Sequence, residues 1–205
     1  MLGRILIVAA SIAGLTPIAQ ARAAAPDSEF LSHVLGRRLS RDGETFACFT
    51  RKYDDAHLAA HPAQRVTFVT ALVDAHFRES SLPPLRGSYL YQVSLAFNFR
   101  DRAETLTGVA ECGDGTPKDS LRGGAHCAGP QSASARLALQ ARRVLVVTLP
   151  EGADLWTPGP VDQRHDTVKN PFGSDDKVFR LVRTDLKECE DLAFDRQRPL
   201  RPHEP

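Results

Sequence analysis

Residues 89–100 (YLYQVSLAFNFR) carry the strictest alternation of apolar and polar side chains in the chain. One face takes Tyr89, Tyr91, Val93, Leu95, Phe97 and Phe99. The other takes Gln92, Ser94, Asn98 and Arg100. Because successive side chains of a strand point to opposite sides, this pattern predicts a long strand of an antiparallel sheet with one buried face. A strand of this kind constrains the whole fold, since the sheet must curl into a barrel or pack against a second sheet as a sandwich.

The aromatic members of the apolar face have two interpretations. Tyr89, Tyr91, Phe97 and Phe99 are expected to be packed core, which is what such a face usually forms. The alternative is that they line a cavity for a small apolar ligand, as the inner faces of small barrels do.

The rest of the chain supports a mainly β fold. We expect further strands at 45–51, 65–77, 105–112, 136–141, 144–149 and 177–183, with loops at 79–88, 113–124 and 158–176. A short helix is predicted at 28–35, and Asp185 with Glu188 forms a capping box that starts a second one near the other end. We find no repeat and no linker, so residues 24–195 are assigned to a single domain. Residues 196–205 (RQRPLRPHEP) are polar and proline-rich, which predicts a disordered tail.

The first 23 residues have the form of an export signal. Arg4 precedes an apolar run of eleven residues, ILIVAASIAGL, which is too short to span a bilayer. Ala21 and Ala23 provide the small residues that a signal peptidase requires, so we expect cleavage after Ala23. The abundance of arginine over lysine, 21 against 5, suggests a GC-rich bacterial genome. We therefore expect a periplasmic or secreted protein whose mature chain does not span the membrane.

Charge excludes one large class of partner. Without the first 23 residues the chain keeps 24 basic and 25 acidic side chains. A balance this close to neutral argues against nucleic acid as the main partner, because binding to phosphates requires a marked basic excess.

Four cysteines remain in the expected mature chain, and an even number in an oxidising compartment predicts two disulfides. Cys112 and Cys127 flank a loop rich in glycine, so we expect them to pair. Cys48 and Cys189 then pair by elimination, which joins the first strand to the last helix. No C-x-x-C motif occurs, and the spacings match no zinc site.

The best candidate for a metal site is DDAHLAAH, residues 54–61. Spacing i,i+4 places His57 and His61 on one face of a short helix, as in helices that bind zinc. A third ligand, His76 or His33, would have to come from the tertiary fold. A surface helical turn with solvated histidines is the simpler interpretation, so we expect no metal and no cofactor.

The motifs of serine hydrolases, zinc proteases, phosphate loops and dinucleotide-binding folds are all absent from the sequence. Asp175 and Asp176 are expected to form a turn with two exposed carboxylates. We therefore expect a non-catalytic protein that binds a small apolar ligand or another envelope protein. The alternatives are a metal-dependent enzyme that uses His57 and His61, and a secreted inhibitor that acts through a long loop.

Overall fold

The computed structural model describes residues 26–37, 39, 44–78, 88–113, 124–128, 134–141, 143–149, 153–157 and 166–192. Within these residues it contains α1 (Pro26–Leu35), α2 (Asp55–Ala60) and a 3₁₀-helix (Leu186–Leu192). The strands are β1 (Glu44–Lys52), β2 (Val66–Arg78), β3 (Ser88–Phe99), β4 (Leu106–Gly113), β5 (Gly124–Ala128), β6 (Ser134–Gln140), β7 (Val144–Thr148), β8 (Leu155–Trp156), β9 (Thr167–Val168) and β10 (Val178–Thr184). The expected signal peptide and the expected tail at 196–205 lie outside the described residues.

All the described strands belong to one curled antiparallel sheet. Its order is β3-β2-β1-β10-β7-β6-β5-β4-β8-β9, and β3 also pairs with β4. The eight strands from β3 through to β4 in this order therefore form a closed ring, because β4 pairs back with β3. Of the two predicted architectures, the protein has the barrel-like one rather than two stacked sheets.

The predicted strands are present with bounds that move by one or two residues. Residues 89–100 form β3, and its alternation places Val93, Leu95 and Phe97 in the core. Three strands were missed. β5 begins at the edge of a predicted loop, β9 lies inside another, and β8 lies just before that second loop. β8 and β9 have two residues each, which is too few for an alternating pattern, and β5 (GAHCA) contains no β-branched residue that would indicate a strand.

Helix α1 packs its apolar side chains, among them Leu31 and Val34, into the main core. It ends in a Schellman motif: Gly36 has φ of +71°, its N–H bonds the carbonyl of His33 at 3.2 Å, and Arg37 N–H bonds the carbonyl of Ser32 at 3.0 Å. From β10, Arg183 donates hydrogen bonds to the carbonyls of Val34 and Leu35. A cation at the carboxyl end of a helix complements its dipole, so β10 fixes α1 to the sheet.

The two disulfides are present in the predicted pairing. Cys48–Cys189 joins β1 to the 3₁₀-helix, with the Cα atoms 5.9 Å apart. It lies in a small apolar cluster with Leu72 on the outer side of the sheet. Cys112 and Cys127 face each other directly across β4 and β5, with the Cα atoms 3.9 Å apart. No helix among the described residues is both long and apolar enough to cross a membrane.

Candidate functional site: the Phe68 groove

A β-bulge in β2 sets the geometry of the outer surface. Val66 pairs with Phe99, and the next pairing joins Phe68 to Asn98, so the register shifts at this point. The bulge keeps both Val66 and Val69 in the core, although two residues separate them. Phe68 is left half-buried on the outer side of the sheet. Bulges often redirect a side chain in this way beside functional sites.

Phe68 and Asn98 lie between two adjoining depressions, which together we call the Phe68 groove. The first has a volume of about 480 Å³ and extends from Phe68 to Tyr53 and α2. The second has a volume of about 410 Å³ and extends from Phe68 across β3 and β4 to the 3₁₀-helix. A surface with one aromatic side chain at its centre and polar groups around it has the composition of a binding site for a peptide or a small ligand.

Helix α2 forms one wall of the groove and is held in place by local hydrogen bonds. The side chain of Asp54 caps it by accepting from His57 N–H at 2.8 Å. The ring of His57 stacks on that of Tyr53, with the centroids 4.7 Å apart, and its Nε2 lies 3.0 Å from Gln64 Oε1. Arg100 donates to two carbonyls of the α2 segment, those of Leu58 and His61, at 3.4 Å each. Burial raises the pKa of the Tyr53 hydroxyl, so this wall presents a neutral phenol.

The 3₁₀-helix forms the opposite wall. Asp185 precedes this helix, and its side chain accepts a hydrogen bond from Lys187 N–H at 3.0 Å. Glu188, Asp191 and Leu192 line the groove on this side. The Cys48–Cys189 bond fixes this wall to β1. The groove therefore has two carboxylates on this wall, whereas the end near α2 combines Tyr53 with Lys52, Asp55 and Leu58.

His57 lies on α2 and His61 is its C-cap residue, and their rings lie side by side with the centroids 4.4 Å apart. The two candidates for a third ligand lie elsewhere, His33 on α1 and His76 near the end of β2. Within the described part of the chain, no three His, Cys, Asp or Glu side chains come together as a set of metal ligands.

The aromatic face of β3 forms core. Tyr91, Phe97 and Phe99 are buried, and burial raises the pKa of the Tyr91 hydroxyl. The ring of Phe97 lies 5.0 Å from that of Phe172 and 5.5 Å from that of Phe179, measured between centroids. The backbone of Tyr89 belongs to β3, and its side chain lies outside the described part. Around Phe97 the interior is therefore occupied by aromatic rings.

The prediction of two exposed carboxylates at 175–176 was wrong for Asp176. This side chain is 1% exposed and accepts backbone N–H groups of Arg65 at 2.8 Å, Val66 at 3.3 Å and Gly173 at 2.9 Å. Gly173 approaches so closely that a Cβ there would lie 1.8 Å from the carbonyl oxygen of Ala63. Asp176 thus fixes the turn before β10 to the start of β2, next to the bulge.

Substitution of Asp176 tests this role. We expect Asp176→Ala to lower the free energy of unfolding by about 2–3 kcal/mol, because backbone donors are left buried without their acceptor. Asp175→Ala is the matched control, since the adjacent carboxylate is exposed, and it should change stability by less than about 0.5 kcal/mol. Urea denaturation of both variants measures the difference, and equal stabilities would contradict the role assigned to Asp176.

Asp74 is a second buried carboxylate, on the outer side of β2 between Phe46 of β1 and Gln92 of β3. Burial raises its pKa to about 6, although a hydrogen bond from Gln92 and the proximity of His76 act in the opposite direction. Glu44 adds a smaller effect that also raises this pKa. The folded state therefore binds the Asp74 proton more tightly than the unfolded chain does.

The raised pKa has a defined effect on stability. The contribution of Asp74 is fully present below pH 4 and is lost as the pH rises through about 6. The shift from 3.8 corresponds to roughly 3 kcal/mol. We expect Asp74→Asn to remove this decline and to be the more stable protein at pH 7. Denaturation of both proteins between pH 4 and 8 provides the measurement, and parallel curves would show that Asp74 titrates normally.

Comparison of the chain with protein-family models, with curated proteins and with solved structures finds no match. The site must therefore be interpreted from its own geometry. Phe68, Asn98, Glu188 and Asp191 were not predicted as site residues from the sequence. The one available signal was the spacing of Val66 and Val69, which cannot both face the core of a regular strand.

Proposed function

We propose that the protein is an exported, non-catalytic binding protein that recognises another protein of the cell envelope through the Phe68 groove. The observation that carries this proposal is the bulge in β2, which holds Phe68 half-buried between two open depressions. Aromatic side chains in such positions are frequent anchors of protein interfaces. The filled interior around Phe97 favours this outer site over an inner cavity for an apolar ligand.

Export is supported by two independent features. The first 23 residues have the order of charge, apolar run and small residues found in secretory signals. The two disulfides suit an oxidising compartment such as the periplasm. We expect the mature protein in the periplasmic fraction to begin at Ala24, which N-terminal sequencing checks directly. An intact Met1 on membrane-bound protein would contradict export with cleavage.

A photo-crosslinking residue placed at position 68 tests the groove in the living cell. The matched control places the same residue at Glu111, which is exposed on β4 four residues beyond Thr107 of the groove. We expect a discrete crosslinked protein from position 68 and none from position 111. The same pattern from both positions, or none from 68, would overturn the proposal.

The captured protein must then bind in purified form. We expect Phe68→Ser to weaken that binding at least about tenfold, a loss of roughly 1.4 kcal/mol. Phe172→Ser changes another partly buried phenylalanine, one that packs on the core, so it should lower stability and leave binding intact at a temperature where it is folded. Native mass spectrometry that finds a small apolar molecule bound instead would favour the ligand-carrier alternative.

A further inference from the structure

A second surface, also on the outer side of the curled sheet but on other strands, has an unusual composition. Among the described residues, two large apolar side chains are exposed, Val178 at 43% and Val182 at 47%. Single exposed apolar residues are common, but these two lie on the same face of β10. The register of β10 with β7 places Val144 beside Val182, and Val146 beside Arg180, which lies between the two exposed valines on the same face. With Ala138 of β6 beside Val146, they form an apolar surface, which we call the valine face.

The charges on this surface have one sign. The outward-facing residues of β6, β7 and β10 align in three rows of three across this surface. Besides the five apolar residues, these rows contain Arg136, Arg180, Gln140 and Thr148. Both arginines are exposed, and none of these nine described positions carries a carboxylate. The chain as a whole is close to neutral, so the positive charge is a local property of this face.

The outer face of an antiparallel sheet is normally polar, because it is in contact with water. Exposed valines grouped with arginines have instead the composition of an interface, where apolar contact supplies affinity and charge selects the partner. The floor of the Phe68 groove lies on β2, β3 and β4, and the groove reaches β1 only at its last residue, Lys52. In the order of the sheet, β1 and β5 lie between that floor and the valine face. The valine face is therefore a separate surface.

We propose that the valine face is a docking surface for a protein partner that presents carboxylates beside apolar side chains. The apolar residues of the partner cover the four valines, and its carboxylates pair with Arg136 and Arg180. Arginine suits this role because its planar guanidinium binds a carboxylate through two parallel hydrogen bonds. This inference adds a second contact to the proposed function and does not depend on the Phe68 groove.

Two defined peptides serve as probes, one with valines alternating with glutamates and one with valines alternating with lysines. We expect the folded protein to bind the glutamate peptide in fluorescence anisotropy, with an affinity that falls as salt is added. Val178→Ser with Val182→Ser should lower this affinity about tenfold without loss of the fold. Arg136→Glu with Arg180→Glu should reverse the preference, so that the lysine peptide binds better.

The controls separate this surface from general charge effects and from the groove. Lys169→Glu with Lys187→Glu makes the same change in net charge at exposed positions away from the valine face, and it should leave binding of the glutamate peptide within about twofold. Phe68→Ser should also leave it unchanged, so failure of one proposal does not imply failure of the other. Equal binding of both peptides, or no effect of the valine substitutions, would overturn the inference.

Binding of either of two other partners to the valine face would also overturn the inference, and a separate experiment detects each of them. A dimer in sedimentation equilibrium that Val178→Ser with Val182→Ser dissociates would assign the face to a second copy of this chain. Binding to phosphatidylglycerol vesicles, lost in Arg136→Glu with Arg180→Glu, would assign it to an anionic lipid surface.

Discussion

Replacing Cys48 and Cys189 by alanine is expected to lower the free energy of unfolding by about 5 kcal/mol, and replacing Cys112 and Cys127 by about 3 kcal/mol. The two bonds close loops of 141 and 15 residues. In the chain-entropy account the longer loop removes more freedom from the unfolded chain, which sets the order of the two effects. Because the two variants remove the same atoms, each is a control for the other.

The two bonds also act at different places in the folded protein. Cys48–Cys189 is the covalent anchor of the 3₁₀-helix, one wall of the Phe68 groove. We expect its loss to allow trypsin to cleave the chain after Lys187 under native conditions, because the 3₁₀-helix is no longer held to β1, whereas loss of Cys112–Cys127 should not. A larger destabilisation from the shorter loop would show that the entropy account does not govern this fold. Peptide mapping without reduction checks the pairing itself.

Strand β3 could be predicted because its information is local. Each of its side chains faces water or the core in strict alternation, and no distant residue is needed to recognise that pattern. The same is true of α2, where Asp54 caps a helix that brings His57 beside His61 at its C-cap. Pairing of the cysteines followed from compartment and loop length, which are also properties of the sequence.

Asp176 shows why other features could not be predicted. Local rules for turns predict that such a carboxylate is exposed. Its burial depends instead on the N–H groups of Arg65 and Val66, more than 100 residues away in the chain. The bulge before Phe68 could not be predicted for a related reason. Residues 66–77 are apolar at positions on both faces, so their alternation does not fix a register, and pairing with β3 decides it.

The candidate site depends both on local sequence patterns and on contacts between residues that are far apart in the chain. The strands that form its floor follow from local patterns, whereas its depth comes from α2 at one end and the 3₁₀-helix at the other. Neither wall is continuous in sequence with Phe68. The valine face, by contrast, lies on strands that were all predicted. Its exposure could not be predicted, because it depends on whether another element covers Val178 and Val182, and none in the described fold does.

Phe97→Ala is expected to lower the free energy of unfolding by about 3–5 kcal/mol. The side chain is 0% exposed and pairs across the sheet with Val69 and Leu106, both fully buried. Its ring contacts Phe172 edge to face, so removal leaves a cavity that neighbouring aromatic rings cannot fill without leaving their own contacts. Thermal or urea denaturation of the folded variant measures the cost.

Phe68→Ala is the matched control, because it removes the same side chain from the opposite face of the sheet, where it is half-buried. We expect it to cost about 1 kcal/mol, since less apolar area is lost from a site already open to water. This difference also bears on function: a filled interior leaves the outer surfaces to bind partners. If Phe97→Ala cost less than about 1 kcal/mol, the interior would have free space beside Phe97. An apolar ligand inside the sheet would then become the better interpretation of the aromatic face.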